Sequence, residues 1–316
     1  MNRLSVLIVS WNQAERLRLC LEAVQRFLPE AQIVVVDNGS EVPLSAPRCE
    51  LIRSECNLGY AGGNNLGMEK CTGAFVLLLN NDAVLQARST VETLVAWLDA
   101  HPACAIAQAK LQLPDGTLDS CGELLTGAGT LYHYGYMKLE GEKVAHPFQI
   151  FGAKGACCLL RRSVLAAVGN ILFRPEFFCY YEDIDLCHRV WLAGYEVWFV
   201  PDVPVLHDEG STARTLPSRR VWQQYLSNML TSSVDLWGPR AWVTVAPGFL
   251  LLFAVGCLIK RVHPHVLDCP RIHFLRRRTE RDLFARVRVR VPLRYYYLNA
   301  RRRLSDFHDS PRPSHT

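Results

Sequence analysis

Phe75 to Leu85 reads FVLLLNNDAVL, five apolar residues running into Asn80, Asn81 and Asp82 before the chain turns apolar again. A strand suited to a protein interior that ends in two amides and a carboxylate is either followed by a simple polar turn or holds something charged. Asp37 poses the same choice after the apolar run IVVVD: with Asn38 and Gly39 behind it, it is a turn former or a ligand contact. Asn57 to Asn65, NLGYAGGNN, is glycine-rich and opens a helix, where backbone amides could approach a diphosphate. Glu182, Asp183 and Asp185 crowd the stretch FFCYYEDIDLCHRVWLAGY. Taken alone, they need only complement a helix N-terminus. His207, after PVL, is as readily structural as ligating.

The elements that must position these residues alternate. LSVLIVS, AQIVVVD, AFVLLLN and CAIAQAK read as continuous apolar strands, with helical stretches at Ala14 to Phe27, Asn64 to Cys71 and Arg88 to His101 between them. Such a pattern predicts a doubly wound α/β unit whose mostly parallel sheet is covered on both faces. Ligands of these sheets sit outside the carboxyl ends of the strands. The positions there are Ser10, Trp11 and Asn12; Asp37, Asn38, Gly39 and Ser40; and Asn80, Asn81 and Asp82. From about Pro114 to Pro147 glycines, aromatics and turns predict short strands or a loop, the usual material of a second-substrate site.

No glycine follows the first strand in SWNQAERL and no Walker A loop is present, which removes the common dinucleotide and P-loop sites. The 12 cysteines lack a CxxC pair and read as reduced thiols of a cytosolic protein. The net charge of +5 conceals an asymmetry: residues 1–259 carry −5 and residues 260–303 carry +11. Ala241 to Ile259 is uncharged for 19 residues, broken by Pro247, Gly248 and Gly256. A basic segment behind an apolar one favours an anionic membrane surface over nucleic acid.

Seven motifs in order, VLIVSWNQ, IVVVDNGS, NLGYAGGNN, VLLLNNDAVL, GACCLLRR, FFCYYEDIDLCHRVWLAGY and VLHDEGS, together resemble the family 2 glycosyltransferases of the GT-A fold, within them the rhamnosyltransferase-like branch. They cover roughly residues 4 to 212. The resemblance implies a nucleotide-sugar site built from Ser10, Trp11, Asn12, Asp37, Asn57, Gly62, Gly63, Asn64, Asn80 and Asn81. It implies Mg²⁺ or Mn²⁺ held by Asp82 and His207, and Asp183 as catalytic base with Glu182 as helper or rival. Such a site would carry out an inverting, hexosyltransferase-type transfer of a single sugar, rhamnose by the resemblance, from a dTDP- or UDP-sugar to a lipid-linked or cell-surface polysaccharide acceptor. A hard cation suits the leaving diphosphate, and a carboxylate suits the proton lost by the acceptor hydroxyl.

Two departures stand out. Asn80 occupies a place where the family motif has Asp, which lowers the expected metal affinity, and the QxxRW motif of processive synthases is missing. The alternative is a non-catalytic nucleotide-sugar or carbohydrate binding protein of the same fold. The expected organisation is a catalytic domain over 1–215, its nucleotide-sugar half about 1–110 and its acceptor half about 111–215. A hydrophobic and basic, helical and membrane-associating extension follows over 216–303, with a flexible tail at 304–316. The expected place is the cytoplasm, peripheral on the inner face of the cell membrane, with no nucleic-acid partner.

Overall fold

A computed structural model describes residues 3–125, 131–136, 144–208 and 218–236, with scattered positions between 247 and 258. The expected basic segment 260–303, the tail 304–316 and most of the apolar stretch 241–259 lie outside the described residues. No helix among the described residues is long and apolar enough to cross a membrane.

The chain opens β1 (Leu4–Ser10), α1 (Ala14–Phe27), β2 (Gln32–Asp37), β3 (Glu50–Arg53), α2 (Gly59–Met68) and β4 (Phe75–Leu79). Then come β5 (Ala83–Val84), α3 (Arg88–Ala100), β6 (Cys104–Gln108), β7 (Leu111–Gln112), β8 (Leu118–Ser120), β9 (Glu123–Leu125) and β10 (Leu131–His133). β11 (Phe148–Gln149), β12 (Cys157–Arg161), α4 (Glu182–Leu192), β13 (Glu196–Phe199), β14 (Val205–His207) and α5 (Ser218–Leu236) complete it.

The main sheet has the order β11-β13-β6-β12-β4-β1-β2-β3. β3, β2, β1, β4, β6 and β13 run one way, while β12 pairs antiparallel with both β4 and β6 and β11 pairs antiparallel with β13. The sheet is therefore mixed: six strands run one way, as expected of a mostly parallel sheet, and an antiparallel strand, β12, stands at its centre. Its apolar runs are explained by cover on both faces. Leu4, Val6 and Ile8 of β1 and Phe75, Leu77 and Leu79 of β4 pack with α1 and α3, whereas Leu7, Val76 and Leu78 pack toward α2, α4 and α5. Side chains alternate with a period of two, so a strand buried on both sides must be apolar at every position.

Two smaller sheets lie beside the main one. β9 pairs with β10, and β5-β14-β7-β8 form a four-stranded sheet at the end of β4. The predicted short-strand region thus contributes β8 to β10, and through β8 and β7 it joins the small sheet that carries His207. The boundary expected at 215 falls ahead of α5, whose Leu226, Met229, Leu230 and Leu236 are buried in the same core as α4. Among the described residues, this helix packs its apolar face onto that core and so belongs to the folded unit.

Candidate functional site

Asp82 sits between β4 and β5, and the small sheet decides what meets it. His207 is in register with Ala83 across the antiparallel β5–β14 pair. That places His207 Nε2 3.3 Å from Asp82 Oδ1. On the other side of the ring, Nδ1–H donates to Asp119 Oδ2 at 2.8 Å. Lys154 Nζ completes the group, donating to Asp119 Oδ1 at 2.7 Å. Burial works against the imidazolium, but the Asp119 and Asp82 carboxylates outweigh it and raise His207 to about 9. Burial likewise opposes ionisation of Asp119, yet His207 and Lys154 hold its carboxyl below the usual range.

The Asp82–His207 pair fits a divalent cation. Neighbouring ligands on an ion with bonds of about 2.1 Å stand about 3 Å apart. A histidine ligand usually gives its second ring N–H to a carboxylate, which fixes the tautomer, and Asp119 occupies that place. Asn80 Oδ1 is buried without a hydrogen-bond partner among the described residues, and its Nδ2 lies 3.4 Å from His207 Nε2. Among the described residues no group of three or more His, Cys, Asp or Glu converges to cage an ion. Two protein ligands alone would leave the rest of such an ion's coordination to substrate oxygens and water, as in magnesium-type sites. Arg16, from the first turn of α1, adds positive charge, its guanidinium 3.7 Å from Asp82 Oδ2.

Asp183 lies in the first turn of α4, half-buried, while its neighbours Glu182 and Asp185 are buried. Its Oδ2 accepts Gly155 N–H at 2.9 Å and its Oδ1 accepts Ile184 N–H at 2.8 Å. Burial pushes its carboxyl above the usual range despite those donors. Glu182 is also pushed well above the usual carboxyl range, by burial first and by the Asp183 charge second, and its Oε2 has no hydrogen-bond partner among the described residues. Asp185 differs from both. It is fully buried, its Oδ2 3.1 Å from Arg174 Nε and 2.8 Å from Arg189 Nε, and these two guanidinium groups overcome burial to hold it ionised. The acidic cluster therefore divides into a structural ion triad and one carboxylate toward the surface.

The remaining predicted contacts divide in the same way. Ser10 Oγ accepts from Asn81 Nδ2 at 2.9 Å, locking the ends of β1 and β4 together. Asn12 has a left-handed backbone (φ 56°); its N–H donates to Ser40 Oγ at 2.9 Å and its Oδ1 accepts Glu41 N–H at 2.8 Å. Trp11 is half-buried beside it. Asp37 is buried with both oxygens engaged inside the chain, by Ser40 N–H, Leu44 N–H and the Arg53 guanidinium. In this arrangement the exposed group is Arg53, not the carboxylate.

The glycine-rich stretch needs a correction, because much of its polar capacity is spent within the chain. Asn57 Oδ1 accepts from Gly59 N–H and Asn38 Nδ2, Leu58 N–H donates to Asn38 Oδ1, and Ala61 N–H donates to Phe178 O. Asn64 is buried with its amide on Tyr60 O. A Cβ on Gly63 would lie 2.6 Å from Val9 Cγ1, so this glycine lets α2 press onto β1. Gly62 remains half-buried on the outer side of the helix.

Asp119, Lys154 and Arg16 escape a reading of the sequence. Asp119 and His207 are 88 residues apart and meet through sheet pairing alone. Lys154 and Gly155, adjacent in GAKGA, tie the two halves of the site: the lysine side chain holds Asp119 and the glycine N–H holds Asp183. Gly155 O also accepts Tyr60 Oη–H from α2 at 2.9 Å.

A family model described as Glycosyl transferase family 2 matches residues 5–169, just over half of the chain. The chain is 25% identical over 240 residues to the low-salt glycan biosynthesis hexosyltransferase Agl10 of Haloferax volcanii, covering 73% of this chain and 75% of that one. It is 24% identical over 282 residues to the O-antigen biosynthesis protein RfbC of Myxococcus xanthus, covering 83% of this chain and 21% of RfbC. Over 61 residues, 19% of each chain, it is 43% identical to N-acetylglucosaminyl-diphospho-decaprenol L-rhamnosyltransferase of Mycobacterium tuberculosis. The chain spans a quarter or less of the length of some of its bacterial relatives. Among solved structures, GalNAc-T7 with UDP, GalNAc and Mn²⁺ matches with a TM-score of 0.57 at 16% identity, covering 75% of this chain and 48% of that one. The Pyrobaculum calidifontis mannosyltransferase PcManGT with GDP-Man and Mn²⁺ matches with a TM-score of 0.51 at 16% identity, covering 92% and 86%.

Proposed function

Because the chain belongs to glycosyl transferase family 2, we propose that it moves one hexose from a nucleotide-diphosphate sugar to a lipid-linked or cell-surface polysaccharide acceptor, with inversion and with help from Mg²⁺ or Mn²⁺. One observation carries the reading: the Asp82–His207 pair and the half-buried Asp183 are held by adjacent residues, Lys154 through Asp119 and Gly155 directly. A cation site and a carboxylate fixed to one short segment are what a transfer between donor and acceptor requires.

Asp82 and His207 would hold the divalent ion, which when bound offsets the charge that develops on the leaving diphosphate. Arg16 lends a further positive charge at the same end. Asp183 takes the proton of the acceptor hydroxyl as that oxygen attacks the anomeric carbon. Glu182 is the poorer candidate because its side chain is buried where Asp183 is half-buried. With one base and no covalent intermediate, attack opposite the leaving group inverts the anomeric configuration.

Rhamnose is the sugar we assign, supported by the short stretch shared with the mycobacterial rhamnosyltransferase; Agl10 and RfbC support a glycan acceptor. Bound UDP and GDP-Man in the structural neighbours support a nucleotide-sugar donor, and their Mn²⁺ supports the cation. We assign the basic C-terminal segment to the cytoplasmic membrane surface, a role that flotation with anionic vesicles tests. The central experiment is nucleotide release from dTDP-rhamnose, UDP-GlcNAc and GDP-mannose, each with and without Mn²⁺. Wild type is expected to need the ion and Asp82→Ala to lose that need together with its activity. Equal turnover of both proteins in EDTA would overturn the metal role.

A further inference from the structure

The turn that delivers Asp183 is strained. Phe178, Tyr180 and Tyr181 have φ of 49°, 71° and 72°, three non-glycine residues in left-handed conformations within four positions. Such a backbone persists only where surrounding contacts over-determine it. One anchor comes from α2, whose Ala61 N–H donates to Phe178 O at 3.0 Å. The others come from α5. Asn228 Nδ2 lies 2.8 Å from Phe177 O, 3.1 Å from Cys179 O and 2.6 Å from Tyr180 O, so its two N–H bonds are shared among three carbonyls. Gln224 orients that amide by donating to Asn228 Oδ1 at 3.0 Å, and its Nε2 also reaches Phe177 O at 3.1 Å. Asn228 is 3% exposed, and Tyr225 of the same helix packs edge-on against Tyr181.

We propose that Asn228 is a positioning residue for the transfer reaction, fixing the left-handed 177–181 turn so that Asp183 is aimed at the acceptor. The proposal rests on Asp183 being the base. The cation pair is built on other elements, the β4–β5 junction and β14, so loosening this turn acts on turnover and leaves nucleotide binding alone. An error of about 1 Å in the placing of a reacting group costs roughly a hundredfold in rate. A purely structural asparagine would instead lower stability without separating turnover from binding.

The test uses the full chain and three variants. Asn228→Asp keeps the shape and turns an oxygen toward the three carbonyls; Asn228→Ser keeps one donor. Met229→Ala removes a buried side chain from the same helix and serves as a stability control. The measurements are Mn²⁺-dependent UDP and dTDP affinity by calorimetry, nucleotide release from the most active of dTDP-rhamnose, UDP-GlcNAc and GDP-mannose, and hydrogen exchange over 175–186. Asn228→Asp is expected to lose about 10- to 100-fold in turnover, to exchange faster over that peptide and to keep nucleotide affinity within twofold, with Asn228→Ser between it and wild type. If Asn228→Asp or the milder Asn228→Ser matches Met229→Ala in both turnover and exchange at a temperature well below melting, the proposal is overturned. Asp183→Asn separates the premise: if it still turns over, the base lies elsewhere and the role given to Asn228 falls with it. An inactive Asp183→Asn beside a fully active Asn228→Asp sinks the asparagine alone.

Discussion

Asp82 Oδ1 and His207 Nε2 stand 3.3 Å apart although 125 residues separate them in the chain. The β5–β14 register brings them together, and Asp119 holds the ring from behind. Removal of a carboxylate behind a ligating histidine costs about 10- to 100-fold in metal affinity. Asp119→Ala is expected to weaken Mn²⁺ binding by that factor and His207→Ala by at least as much, read by Mn²⁺ electron paramagnetic resonance titration in the presence of UDP. Unchanged affinity in both variants would remove His207 from the site.

Asp183→Asn should reduce transfer by about 10²- to 10⁴-fold, the usual worth of a general base. Nucleotide affinity should survive. The sign of the pH dependence follows from burial, which raises the Asp183 carboxyl above the ordinary range. The base is competent only when deprotonated, so kcat climbs as pH rises through this elevated value. An acidic limb at or below the ordinary aspartate pKa would contradict the assignment.

Asp185 should behave as a structural group. Its folded pKa is depressed, so its stabilising contribution is present above the unfolded value and is lost as pH falls through the folded one. Asp185→Asn removes the carboxylate between Arg174 and Arg189 and is expected to cost about 3–5 kcal/mol, the typical result of breaking a buried pair from one side. Urea denaturation of wild type and variant at pH 7 measures it; a loss below about 1 kcal/mol, as for an exposed pair, counts against the triad.

Gly59 has φ +73°, and a Cβ there would collide with the Phe178 carbonyl. Gly59→Ala therefore forces the start of α2 away from the 177–181 turn. A melting temperature lowered by several degrees together with lost turnover is the expected outcome, whereas Gly116→Ala, also at positive φ but with open space around it, should cost stability alone.

A chain ending at 215 should fail to give a cooperative melt, because it uncovers the core that Leu226, Met229 and Leu230 close. One ending beyond 236 keeps that cover and should melt cooperatively. Differential scanning calorimetry of the two distinguishes α5 as part of the catalytic unit from α5 as an appendage.

Much of this protein is legible as a string. Apolar runs that are continuous rather than alternating require a sheet covered on both faces, and the polar residues after them mark its ligand edge. Asp82 stands out this way, at the end of an apolar strand, whereas Asp183 is a candidate only through the family resemblance of the motif around it. The antiparallel β12 at the centre of the sheet does not stand out, since a strand's direction is set by its partners and leaves no mark in its own apolar pattern. Nor could the fate of polar groups be read. Asp37 and Asp185 look as available as Asp82 in the sequence, yet Arg53, Arg174 and Arg189 claim them. The sequence by itself determined the buried apolar strands and the types of polar side chain that follow them. Only the tertiary structure decided how each carboxylate is held, because that depends on cations and N–H groups that long-range pairing brings to within 3 Å or so of them.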